Sequence, residues 1–173
     1  MRPRMILTLL IATSAIHAGA QTLTVSLAAS SVTWNTSSGN SLNPGSAANA
    51  GNRTIAVTTT WTNISPSTNG ITTYAYFNSA TALAHTTCIG TCPDIPASAF
   101  EVGVNGGVLK PTTQASPFSA YSVALFSPIN ITGLNKNGTR TDTLRFNIDL
   151  SALPQLPPDT YNGTLVIQVN LLP

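Results

Sequence analysis

The sequence predicts an all-β protein, a single antiparallel two-sheet sandwich of the immunoglobulin-like kind, with a closed β-barrel as the alternative. Three observations point there. Apolar residues recur at every second position in run after run, which lines them up on one face of a strand. Clusters of Gly, Pro, Asn and Ser separate these runs at short spacing. After residue 20 no stretch sustains the 3.6-residue period of an amphipathic helix.

The first segment, MRPRMILTLLIATSAIHAGA, reads differently. Arg2 and Arg4 supply a short positive start, Met5 to Ile16 is almost unbroken apolar sequence, and Ala18-Gly19-Ala20 is a small-residue cleavage signal. Residues 1–20 are therefore expected to be a cleaved export signal, with the cut before Gln21 and one β-sandwich domain over 21–173. The apolar stretch falls short of the roughly 20 residues that a membrane-crossing helix needs. No later stretch is long and apolar enough to span a bilayer.

Beyond the cut, strands are expected in order. Leu23, Val25 and Leu27 alternate with polar residues, and Val32 and Trp34 lie in a run over Ser31–Asn35. Ser37–Asn52 is polar and turn-rich, and reads as a mobile loop. Ile55, Val57, Thr59 and Trp61 share a face, followed by a turn at Asn63–Gly70 and a Tyr-rich strand over Ile71–Phe77. Ala80–Ala97 is the least regular part. Phe100, Val102 and Val104 form another strand, ended by Gly106-Gly107; Tyr121, Val123 and Leu125 form one more. Ile129–Leu134 reads as a short strand before the turn Asn135-Lys136-Asn137-Gly138. Leu144, Phe146, Ile148 and Leu150 face one way in the next run. After the prolines at 154, 157 and 158, Tyr161, Gly163, Leu165, Ile167, Val169 and Leu171 face inward from the last and longest strand.

Composition narrows the function. Charged residues make up 7% of the chain, against about 25% in an average globular protein. Without Arg2 and Arg4, the basic residues Arg53, Lys110, Lys136, Arg140 and Arg145 balance the acids Asp94, Glu101, Asp142, Asp149 and Asp159. This balance argues against nucleic acid and anionic membranes as partners, since both need a basic surface. The five acids are expected to be solvated or paired at the surface. The apolar fraction of 42% is that of a folded chain with a core.

Few residues carry chemistry. Cys88 and Cys92 form a C-x3-C pair; after export into an oxidising compartment such a pair is expected to be a disulfide. A metal site built from His85, Cys88, Cys92 and Asp94 is the competing reading, but zinc prefers four N or S ligands and His85 is the only histidine after the leader. No Gly-x-Ser-x-Gly surrounds a serine, and Asp142 and Asp149, an odd number of residues apart on one strand, should face opposite ways. No catalytic residues, metal or cofactor are expected. Tyr74, Tyr76 and Tyr121 are candidate ligand-contact aromatics, with core packing as the alternative for each; Trp61 continues an apolar face and reads as core.

The stretches SLAASSVTW (Ser26–Trp34), RTIAVTTTW (Arg53–Trp61) and TRTDTLRFNIDLSALPQLPPDTYNGTLVIQVNLL (Thr139–Leu172) resemble small exported β proteins of acidobacterial-type soil bacteria, a group with no assigned activity. The ending P-x-x-Y-x-G-T-L-x-I-x is also similar to the last strand of spore-coat-U-type and pilin-like subunits. The resemblance implies subunits that exchange strands between neighbours. The chain differs from that pattern in lacking widely spaced cysteines near the front of the domain.

Two functions of different class follow as expectations. One is a non-enzymatic structural or assembly component of the cell surface or periplasm. It would associate with itself or with another exported protein, and its candidate strand-addition segment is Leu23, Val25 and Leu27. The other is a monomeric module that binds a glycan or a protein through Ser37–Asn52 or Ala80–Ala97.

Overall fold

The computed structural model describes residues 4–12, 22–29, 31–34, 45–66, 70–157 and 159–172. Their strands are β1 (Arg4–Ala12), β2 (Thr22–Leu27), β3 (Ser31–Trp34), β4 (Ile55–Thr62), β5 (Gly70–Phe77) and β6 (Thr81–His85), followed by β7 (Ile95–Pro96), β8 (Phe100–Val104), β9 (Lys110–Pro111), β10 (Tyr121–Ala124), β11 (Gly138–Ile148) and β12 (Thr160–Leu172). One sheet runs β10-β5-β12-β1-β3, with β6 pairing to β12 and β7 to β6; the other runs β2-β4-β11-β8-β9. The two sheets stack as a β-sandwich and do not close into a barrel.

Alternation in the sequence decides which side chains lie between the sheets. Ile55, Val57 and Trp61 of β4, Leu144, Phe146 and Ile148 of β11, and Phe100 and Val102 of β8 fill the core from one side. Ile71, Ala75 and Phe77 of β5 and Tyr161, Leu165, Ile167 and Val169 of β12 meet them from the other. Phe77 and Phe100 touch across the gap edge to face at 5.1 Å, and Phe100 lies 6.0 Å from the Phe146 ring. Even a polar member of the pattern behaves as expected: buried Thr59 faces buried Thr73, and their hydroxyls pair at 3.3 Å across the core. Such a pair leaves neither hydroxyl unsatisfied, so it can sit where an apolar residue would.

Two glycines mark close approaches. A Cβ on Gly163 would overlap the Ala82 carbonyl oxygen, so glycine lets β6 lie against β12. A Cβ on Gly138 would overlap the Trp61 ring, whose indole N–H donates to the Asn135 carbonyl at 3.0 Å.

Four features depart from expectation. The segment read as an export signal contributes β1. Ile129–Leu134 is no strand: its ladder amounts to the isolated bridge between Ile71 and Ile129, and Thr132 and Asn135 then bond to each other in a turn. The irregular Ala80–Ala97 segment holds the short strands β6 and β7, whose register shifts between Thr81 and Leu83, a break that hides alternation. In the polar loop, residues 45–52 are docked and not loose. Buried Asn49 donates to the Ser46 and Ile148 carbonyls, and its amide N–H donates to Asn147 Oδ1 at 2.7 Å. Residues 37–44 of that loop lie outside the described residues.

Phe100 is fully buried between Phe77 and Phe146. Phe100→Ala is expected to lower the unfolding free energy by about 3–5 kcal/mol, read as a fall in the urea midpoint at unchanged slope.

Candidate functional site

The most unusual geometry lies along β12. Every described pairing in the sandwich is antiparallel except one: β1 runs parallel to β12 over nine positions, from Arg4 level with Thr160 to Ala12 level with Gln168. Its other edge pairs antiparallel with β3, from Met5 level with Trp34 to Thr8 level with Ser31. Leu7 and Leu9 point into the core and are buried, while Thr8 between them is exposed. Leu7 lies level with Gly163 on β12 and Val32 on β3; Leu9 lies level with Leu165. The Leu-Thr-Leu alternation of this apolar stretch suits a strand buried on one face as well as it suits an export signal. The small-residue cleavage signal at 18–20 lies outside the described residues.

The candidate strand-addition residues Leu23, Val25 and Leu27 lie on the opposite sheet. Leu23 and Val25 are buried, Leu27 is half-buried, and β2 pairs with β4 at six positions from Thr22 to Leu27. β2 is an edge strand, with β4 as its one neighbour in the sheet.

Cys88 and Cys92 are joined as a disulfide. Their loop is held a second time by Asp159, the residue before β12. This buried carboxylate accepts from the backbone N–H groups of Thr86, Thr87 and Cys88 and from both threonine hydroxyls. The Thr87 hydroxyl, with the amides of Thr87, Thr160 and Cys88, holds the Asp159 carboxyl well below the usual carboxylate range. Burial, together with Asp159 and Asp94, pushes the Tyr161 phenol up. His85 Nδ1 meets Asp94 Oδ1 at 2.7 Å, so the imidazole is engaged by a side chain of its own loop. Among the described residues, no group of three or more His, Cys, Asp or Glu is placed to hold a metal ion.

The three candidate aromatics do not converge. Tyr121 points inward with Val123 and Leu125 and packs against the core. Tyr74 and Tyr76 lie on the outer face of their sheet, where Phe118 covers them: its ring stacks on Tyr76 at 5.5 Å and meets Tyr74 edge-on at 5.8 Å. The Tyr76 hydroxyl donates to Gln168 Oε1 at 2.9 Å. Sequence reasoning missed this outer cluster because Phe118 sits in an irregular Pro-Ser segment with no period to read. It also placed all five acids at the surface, and two are not there. Asp159 is buried as described, and Asp142 is buried between Asn105, at 2.7 Å, and a two-pronged bond from Arg140. The Arg140 guanidinium in turn lies 4.2 Å from the centre of the Phe126 ring. The five-residue spread from Arg140 to Leu144 on one face of β11 was the available signal.

No helix of the described residues is long and apolar enough to cross a membrane. No protein-family model matches the chain, and no curated protein matches it.

The depressed Asp159 sets a sign for acid stability. A carboxylate favoured in its charged form by folding stabilises the protein above its unfolded-state pKa of about 3.9, and that stability is lost as pH falls below it. The urea midpoint is therefore expected to drop as pH is lowered from about 4, and to drop less steeply over the same range in Asp159→Asn. Since the disulfide closes only a short loop, reducing it is expected to cost about 2 kcal/mol by chain entropy, with unfolding still cooperative by circular dichroism.

Proposed function

We propose that the protein is an exported, non-enzymatic β-sandwich that serves as a structural or assembly component of the cell surface or periplasm. One observation carries this reading: the segment with the sequence of an export signal occupies an interior place in the seven-stranded sheet, between β12 and β3. Removing it after export takes two buried leucines out of the core and uncovers one edge of β12 and one of β3. Truncating a single buried leucine costs about 2–5 kcal/mol, and a domain of this kind has only about 5–15 kcal/mol in all. A sandwich that loses a whole interior strand on maturation is therefore suited to completing itself in an assembly. The disulfide supports export, being compatible with an oxidising compartment. An immunoglobulin-like arrangement is supported by β2 and β3, which follow each other closely in sequence yet belong to different sheets, as a strand that switches sheets at a sandwich edge does.

Expression of the whole chain with a C-terminal tag in a bacterial host tests this. The intact mass of the product outside the cytoplasm is expected to be that of a chain starting at Gln21 with Cys88 and Cys92 oxidised. A product that keeps residues 1–20 and stays in the cytoplasm with both thiols free overturns it, and makes β1 a permanent strand of an intracellular sandwich.

A further inference from the structure

We propose that the protein holds a small amphipathic carboxylate in a cleft at the open edge of the sandwich, with the apolar body between the sheets and the carboxylate at Lys110. The inference stands apart from the export reading. Among the described residues, β10 is the outermost strand of one sheet and β9 that of the other, and the two edges lie close together. Between them opens a cleft of about 460 Å3. Val102 and Val104 of β8 line it from one sheet, and Val123 of β10 with Leu125 just after it from the other. That volume suits a small-ligand site, whose walls are mostly apolar with a few placed polar groups. Val108 also lines the cleft and is 80% exposed, a large apolar side chain left in water.

The polar groups at the cleft select the charge of its occupant. Lys110 lies level with Val102 in the pairing of β9 with β8, so its side chain leaves the strand on the face that Val102 turns to the core. No acid among the described residues pairs with it. Asp94 takes His85 and Asp142 takes Arg140, while Glu101 alternates to the other face of β8 and accepts from Asn147. Arg140, whose guanidinium lies over the Phe126 ring, is thus already spent. Gln114, also on the cleft, accepts from the Ala124 N–H through its side-chain oxygen at 3.0 Å. That bond fixes the amide's orientation and leaves its nitrogen, a donor only, without a partner among the described residues. No carboxylate lines the cleft. An unpaired ammonium and a free amide N–H2 beside apolar walls favour a monoanion with an apolar body. A carboxylate accepts charge-assisted bonds from both donors. A cation is repelled, and a neutral sugar leaves the apolar walls unmatched.

The probe is octanoate, titrated below its micellar range into the purified protein by calorimetry, with amide NMR shifts to locate it. Octanoate is expected to bind one to one and to shift the amides of Val102–Val104 and Val123–Phe126. Octan-1-ol has the same chain without the charge and should bind roughly tenfold more weakly. Octylammonium should bind more weakly still. Lys110 is exposed and makes no side-chain bond within the fold, so Lys110→Gln should leave the thermal midpoint unchanged. The same variant should cut octanoate affinity roughly tenfold and leave octan-1-ol binding as it was. Added salt should weaken octanoate binding and not that of octan-1-ol. Absence of saturable octanoate binding, equal affinity for octanoate and octylammonium, or an octanoate affinity that survives Lys110→Gln overturns the proposal. Shifts confined to another part of the molecule overturn it as well.

Discussion

β12 has thirteen residues and hydrogen-bonds to β5 and β6 on one edge and to β1 on the other. Its inward side chains at Tyr161, Leu165, Ile167 and Val169 are fully buried. A strand in the middle of a sheet must satisfy its backbone groups on both sides, since buried N–H and C=O groups left unpaired cost more than a made hydrogen bond returns. The rest of the sandwich is arranged around that demand. On one side it is met by β5 together with β6, the latter brought close by the missing side chain at Gly163. On the other it is met by β1.

The start of β12 is fixed more firmly than its flank. Asp159 gathers the amides of Thr86, Thr87 and Cys88, and the disulfide closes the same loop. A carboxylate with this many donors is worth more than one ion pair at the surface, because each donor is itself tied to the backbone and loses little freedom on bonding. The loop that sequence reading offered as a recognition surface is thereby a clamp on the start of β12. Asn49 and Asn147 do the same for residues 45–52, which they bind to the end of β11. Both loops consolidate the frame.

The strands β2, β3, β4, β5, β8, β10, β11 and β12 were legible; β4 buries every second residue over Ile55–Trp61, whereas β5 is buried at nearly every position and β11 buries Asn147 out of phase. The disulfide was legible as the lone cysteine pair of a chain read as exported to an oxidising compartment. What could not be read has a physical reason in each case. β6 and β7 are interrupted by a register shift, which destroys the period. Ile129 lies in an apolar run that forms a single bridge, so apolar content without a partner strand misled. Asp159 carries no mark in sequence of the donors at Thr86, Thr87 and Cys88, nor Asp142 of Asn105, because these reach them from far along the chain. β1 is the hardest instance: an export signal and a buried strand ask for the same apolar residues, and one segment can satisfy both descriptions.

The scarcity of charge gives the last constraint. Protein partners are commonly steered together by complementary fields, and specificity is then set by the placement of charges. With 7% charged residues, and with Asp142 and Asp159 already committed within the fold, this chain has little field to offer. Recognition must then come from backbone hydrogen bonds and from the fit of apolar side chains. Those are the two terms by which β12 holds β1, at Thr160–Gln168 for the backbone and beside Gly163 and Leu165 for the side chains. They are also terms that salt hardly screens, in contrast to exposed charge pairs. A surface of hydroxyls and amides with little charge is consistent with contacts of that kind.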